Sequence, residues 1–219
     1  SNRRKLKTAF YPLQVYRNHN LKTPELSLNE KRILSVDVAL MASKKHKNDA
    51  ACLIIDSAIP TEHNDYINNF VYVETHEGQT TDELGLLVMR LFYQYNCTHL
   101  VLDTNGAGIG VYDFIIKDQY DPDYGVTYAA MTCINDTNMA DRCKVKNANR
   151  VVWSIKATAD FNTRAALALR AGFQNGRINL LKSEFDAEEL VKKIRGYSKM
   201  TPAEQSMLKL PYLQTSFMI

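Results

Sequence analysis

The sequence predicts an α/β domain: a mixed β-sheet, an antiparallel meander of three strands plus parallel strands, flanked by helices. Three observations carry that expectation. Three β-rich runs follow one another between Arg32 and Gly78, as in a meander. A long segment, "TTDELGLLVMRLFYQY", then repeats its apolar residues at helical spacing. A fourth apolar run, "HLVLD", comes directly after it, so a helical crossover sets that strand parallel to one already in the sheet.

Bulk properties bound the rest. The chain has 219 residues, 45% hydrophobic and 23% charged, the balance of a globular protein with a sizeable core. A formal net charge of +3 neither requires nor opposes a nucleic-acid partner. Cys52, Cys97, Cys133 and Cys143 are scattered, with neither zinc-ligand spacing nor a disulfide framework. No apolar run approaches the roughly 18 residues that a membrane span needs.

Residues 1–30 are polar and irregular, with Pro12 and Pro24, and read as a lead-in segment before a domain over 31–219. "RILSVDVALMA" is the first strand, with Ile33, Ser35 and Asp37 on one face and Leu34, Val36 and Val38 on the other. "SKKHKND" is a basic turn, and "AACLIIDSAI" and "NFVYVETHEG" are the second and third strands. Thr80 or Thr81 caps the helix that follows. After "HLVLD" come a glycine-rich turn and a helix through Val111–Lys117. "DPDYG" is a turn, and "VTYAAMTCI" alternates as one further strand. "DFNTRAALALRAGFQNG" is a helix closed by Gly176, "RINLL" a brief strand, and "SEFDAEELVKKIRGY" and "TPAEQ" helical starts.

The question of function centres on "LVLDTNGAGIGVYDF", where a buried strand ends in a carboxylate just before a glycine-rich turn. Asp103 is read in three ways: as a turn former, as part of a phosphate-cradling loop, or as half of a metal site. The phosphate loop is disfavoured, because "NGAGIG" fits neither G-x-x-x-x-G-K-[ST] nor G-x-G-x-x-G, and the chain holds no ATP site. The turn former remains open. The metal reading gains from Asp37, a carboxylate inside a strand of strong β-formers, which is costly there unless paired or coordinated. If the first and fourth strands are neighbours, Asp37 and Asp103 face the same side, as hard oxygen ligands for Mg²⁺ or Mn²⁺. Two such ions would suit hydrolysis of a phosphodiester. Asp49 is a candidate outer ligand or a strand-entry residue, and Glu74 either faces the same site or is surface. Lys44, Lys45 and Lys47 are candidate DNA-phosphate contacts at the hairpin tip, or a solvated cluster. Asp186, Glu188 and Glu189 suit the positive end of their own helix.

Strand Asp, meander, helix, strand Asp is also the layout of the ribonuclease H-like nucleases. "SVDVALMASKKHKNDAACLII", "LVLDTNGAGIGVYDFI", "NDTNMADRCKVKNANRVVWSIKATADFN" and "LKLPYLQTS" together resemble the C-terminal nuclease domain of phage terminase large subunits. The resemblance spans most of the chain from Lys31 onward. It implies a metal-dependent endonuclease that cuts concatemeric double-stranded DNA by two-metal hydrolysis. The implied metal ligands are Asp37 and Asp103, with Asp49 matching an acidic residue sometimes found nearby. The implied partners are DNA, the portal protein, the small terminase subunit and an ATPase domain of the same polypeptide. The implied place is the cytoplasm of a bacterial host, with no membrane. The family's third acidic ligand follows the region resembling "LPYLQTS", so the expectation is a domain truncated at its C-terminus and deficient in metal binding. The alternative is a non-catalytic ribonuclease H-like module that binds DNA or docks onto the motor or portal; a recombination nuclease of the same fold is a third.

Overall fold

The computed structural model describes residues 25–38, 50–180, 189, 192–193, 196–202 and 205. Nine strands are described: β1 (Lys31–Asp37), β2 (Ala50–Pro60), β3 (Tyr66–Glu77), β4 (His99–Asp103), β5 (Gln119–Asp121), β6 (Val126–Tyr128), β7 (Met131–Cys133), β8 (Asn149–Ile155) and β9 (Ile178–Asn179). Among them run helices α1 (Thr81–Gln94), α2 (Gly108–Ile115), α3 (Thr137–Ala140) and α4 (Ala159–Gln174). Seven strands form one mixed sheet in the order β7-β8-β4-β1-β2-β3-β9, and β5 and β6 form a separate hairpin. β1 to β3 pair antiparallel, while β4 lies parallel to β1 and β8 parallel to β4.

Strand alternation decides which face becomes core. Leu34 and Val36 of β1, Leu53 and Ile55 of β2, and Leu100 and Leu102 of β4 are buried on one face. Leu84, Val88, Leu91 and Phe92 of α1 and Val111, Tyr112 and Ile115 of α2 join the same cluster. Each such aliphatic side chain gains about 1.5–3 kcal/mol from leaving water, and truncating one to Ala costs about 2–5 kcal/mol. α1 starts at a capping box, in which Thr80 Oγ1 accepts from Glu83 N–H and the Glu83 carboxylate accepts from Thr80 N–H. On the opposite face Ile33, Ser35, Ile54, Val73 and Val101 are half-buried, and no residue of α4 is buried.

One charge sits on the core face of β1. Arg32 is fully buried and donates from Nε to Glu30 Oε1 at 3.0 Å and from Nη1 to the Tyr95 carbonyl at 2.9 Å. Ser57 Oγ and Ser27 N–H also donate to Glu30. Burial works to raise the Glu30 pKa, but these three donors together hold it below the usual carboxylate value. The network fastens the start of the domain to the C-terminal end of α1.

Two elements differ from the sequence expectation. "VTYAAMTCI" is not one strand: it divides at Ala129–Ala130 into β6 of the hairpin and β7 of the main sheet. "NRVVWSI" is the strand β8, which sequence patterning did not reveal. Val152 is buried on the core face in the usual way, but the next step is inverted, with Ser154 buried on that face and Trp153 41% exposed on the other, so the apolar-inward period is hidden. The glycine-turn helix begins at Gly108, earlier than expected. The expected helix "SEFDAEELVKKIRGY", with Asp186 and Glu188, lies largely outside the described residues. Among the described residues no helix is long and apolar enough to cross a membrane.

Candidate metal site

Parallel pairing of β1 and β4 runs Ile33 to His99, Leu34 to Leu100, Ser35 to Val101 and Val36 to Leu102. The pairing ends there, and Asp37 and Asp103 are the next residue of each strand. Register partners share a face, and neighbouring strands lie about 4.8 Å apart. By alternation the two carboxylates leave the same face at the C-terminal edge of adjacent strands. Asp37 is exposed and Asp103 half-buried.

The turn-former reading of Asp103 also has a basis. Asp103 Oδ1 accepts from the Asn105 N–H at 2.9 Å, an Asx turn. That bond occupies one oxygen and fixes the carboxylate. Gly106, at φ +55°, continues the turn, and Gly108 starts α2 with its Cα packed against the Asp103 carbonyl. The glycines thus serve first to bring the chain back over its own strand end, rather than to admit a ligand.

Neighbouring strands brace this edge. Thr104 is buried; its N–H donates to the Ile155 carbonyl at 3.1 Å, and its hydroxyl shares a hydrogen bond of 2.6 Å with Ser154 Oγ. Asn135 grips Ser154 from the other side: Nδ2 donates to the Ser154 carbonyl at 2.8 Å and Oδ1 accepts from Ser154 N–H at 2.9 Å. This Asn135–Ser154–Thr104 chain, which sequence reading missed along with β8, ties the ends of β7, β8 and β4 together. The only sequence signal for it is a run of small polar residues at three successive strand ends.

Antiparallel register sets Cys52 opposite Asp37. The Cys52 thiol has a raised pKa, first because it is partly buried and second because of the Asp37 charge. Glu74 does not join the site. It pairs in register with Leu53, which pairs with Val36, so it belongs to the helix-covered face. There its carboxylate accepts from the Tyr72 hydroxyl and lies 2.8 Å from His76 Nε2. A one-residue offset along a strand is enough to move a side chain to the wrong face.

Lys44, Lys45, Lys47 and Asp49 lie outside the described residues. Among the described residues no three His, Cys, Asp or Glu side chains converge as a metal cluster. Asp37 and Asp103, on one face of adjacent strands, are carboxylates, hard oxygen donors of the kind that Mg²⁺ and Mn²⁺ take. No protein-family model and no curated protein matches the chain.

Proposed function

We propose that the domain is a ribonuclease H-like, Mg²⁺- or Mn²⁺-dependent endonuclease acting on double-stranded DNA, of the kind found in phage terminase large subunits. The observation that supports this reading is the parallel pairing of β1 and β4 up to Val36 and Leu102, each followed by an aspartate on the same face. The strand order β3-β2-β1-β4, antiparallel up to β1 and parallel after it, supports the fold assignment.

Asp37 and Asp103 are the residues that would hold the cation. When bound, such ions activate water and stabilise charge on the scissile phosphate and its leaving oxygen. The chain's own contribution is positional. The Asx turn and the Thr104–Ser154–Asn135 chain hold the Asp103 carboxylate in place. Directly after that carboxylate the amides of Gly108, Ile109 and Gly110 donate to the Asn105, Gly106 and Ala107 carbonyls, so the turn closes on itself and keeps the strand end in place. By the family resemblance, its partners are the portal protein, the small terminase subunit and an ATPase domain of the same polypeptide.

The test has two readouts. Millimolar Mn²⁺ raises the melting temperature of the wild type, since a ligand that binds only the native state stabilises it. Asp37→Asn and Asp103→Asn abolish that rise, and Glu74→Gln keeps it. Supercoiled plasmid incubated with Mn²⁺ is cut by a chain that also carries the third acidic ligand the resemblance implies, and the cutting is lost with chelator and in Asp37→Asn. A wild type with no thermal response to Mn²⁺ or Mg²⁺ rejects the metal site. A response without cleavage rejects the enzyme and leaves a binding module.

A further inference from the structure

The sheet face that carries Asp37 and Asp103 also carries the chain's single tryptophan. Register places it. Trp153 of β8 pairs with Val101 of β4, and two residues further on Ile155 pairs with Asp103. Register partners share a face, so Trp153 and Asp103 leave the same side, one strand and two residues apart, about 8 Å between their Cα atoms. The row that Trp153 begins continues through Val101 and Ser35 to Ile54 and Val73, all half-buried and uncharged.

Folding alone does not account for this indole. A tryptophan offers one of the largest apolar surfaces a side chain can bury, yet Trp153 is 41% exposed. Its neighbour Ser154 takes the buried place, which the bonds to Thr104 and Asn135 explain. No contact explains the outward Trp153. Among the described residues its ring stacks on no other ring and lies under no cation, and its indole N–H has no hydrogen-bond partner. Local rules are broken without such compensation chiefly at functional sites.

An exposed π-face among uncharged neighbours suits a flat, uncharged aromatic group. Beside a site for phosphodiester chemistry, that group is a nucleobase. A positive charge lies at the same edge: Lys156 follows the last residue of β8, exposed and without an ion pair among the described residues. We propose that Trp153 is the stacking platform for an unpaired nucleobase of the DNA strand at the Asp37–Asp103 edge, with Lys156 meeting a phosphate of the same strand. The inference rests on the endonuclease reading for its substrate and narrows it. Bases inside a duplex already have both faces stacked, so the platform selects a strand that is open or frayed at the site.

Because the chain has a single tryptophan, its fluorescence reports on this site alone. The full chain is titrated with a short oligothymidylate, with an abasic strand of the same length and with a closed duplex, in Ca²⁺ and in chelator. Oligothymidylate quenches Trp153, whereas the abasic strand, which has the same phosphates, and the closed duplex do not. Anisotropy of a labelled oligothymidylate covers the variants that lack the indole. Trp153→Leu, apolar but without a π-face, weakens binding by roughly 5- to 100-fold, the range for loss of one base–aromatic stack, and Trp153→Phe recovers part of it. Lys156→Ala lowers the slope of log affinity against log salt by about 0.7, one phosphate contact on a single strand. The contrast between the two strands needs no variant, so it decides the matter whether or not Trp153→Leu folds. Equal quenching by the abasic strand, wild-type affinity in Trp153→Leu, or a wild type that binds no oligothymidylate overturns the proposal. The Mn²⁺-dependent thermal shift is read separately, and its absence rejects the metal site without touching the contrast between the strands.

Discussion

A Cβ on Gly108 would lie 1.7 Å from the carbonyl oxygen of Asp103. No side chain fits in that space, and the obstructing atom is backbone, which cannot swing away. The strand end that carries the candidate ligand and the first residue of α2 are therefore one packing unit.

Gly108→Ala must push α2 and the end of β4 apart. The expected result is a loss of about 1–3 kcal/mol in unfolding free energy, typical of overpacking that forces backbone shifts. The Mn²⁺-dependent rise in melting temperature should fall with it, because the strand end that carries the Asp103 carboxylate shifts. Urea unfolding and a metal titration check the two effects separately. Wild-type stability in Gly108→Ala would mean that the tight approach between Asp103 and Gly108 is not a feature of the folded protein.

The sequence made legible those parts of the fold in which local pattern and tertiary role agree. Leu34 and Val36, and Leu100 and Leu102, alternate cleanly because one face of each strand is core, so β1 and β4 and their two terminal aspartates were readable. α1 was readable because its cap and apolar stripe both follow local rules. β8 was not, because Trp153 faces outward and Ser154 inward, and the Ser154 hydroxyl is satisfied by Thr104, a partner 50 residues away. The face of Glu74 was not legible for a similar reason. Membership of a face depends on register across β2, and β2 and β3 shift register between Ile55 and Asp56, which no local pattern announces.

That irregularity has a consequence for pH. Asp56 sits at it with Oδ1 buried and without a hydrogen-bond partner, and burial pushes its pKa up to about 7 despite a hydrogen bond from the Asn69 backbone. An unfolded Asp titrates near 4. Between those values the native state keeps a proton that the unfolded chain has released, so this residue's contribution to stability is complete below about pH 4. It is lost as the pH rises to about 7 and is level above. The loss is up to about 4 kcal/mol. Asp56→Asn, uncharged throughout, should remove that slope and be more stable than the wild type at pH 8. Urea titrations of both proteins at pH 5 and pH 8 test this through the difference between them, which cancels carboxylates such as Glu30 whose lowered pKa works in the opposite sense. An equal pH response in the two proteins would show that Asp56 is ionised in the native state at pH 5.

The placement of Asp37 can be tested without any metal or DNA, through Cys52. The two residues are register partners on antiparallel strands, so they share a face. Burial raises the Cys52 thiol pKa first, and the negative charge of Asp37 raises it further. Only the thiolate attacks an alkylating reagent, so the rate at fixed pH follows the thiolate fraction. Asp37→Asn removes the nearby charge and leaves the burial, and should speed alkylation of Cys52 by neutral iodoacetamide at pH 8 severalfold, with chelator present. Asp103→Asn should do less, because β1 separates Asp103 from the thiol. Peptide mapping distinguishes Cys52 from the buried Cys97 and Cys133 and the half-buried Cys143. The order of effect, Asp37 well ahead of Asp103, is what the strand order β4-β1-β2 dictates. Equal rates in the wild type and both variants would put Asp37 on the other face, away from Cys52 and from Asp103 alike, and the carboxylate pair on which the metal site depends would not exist.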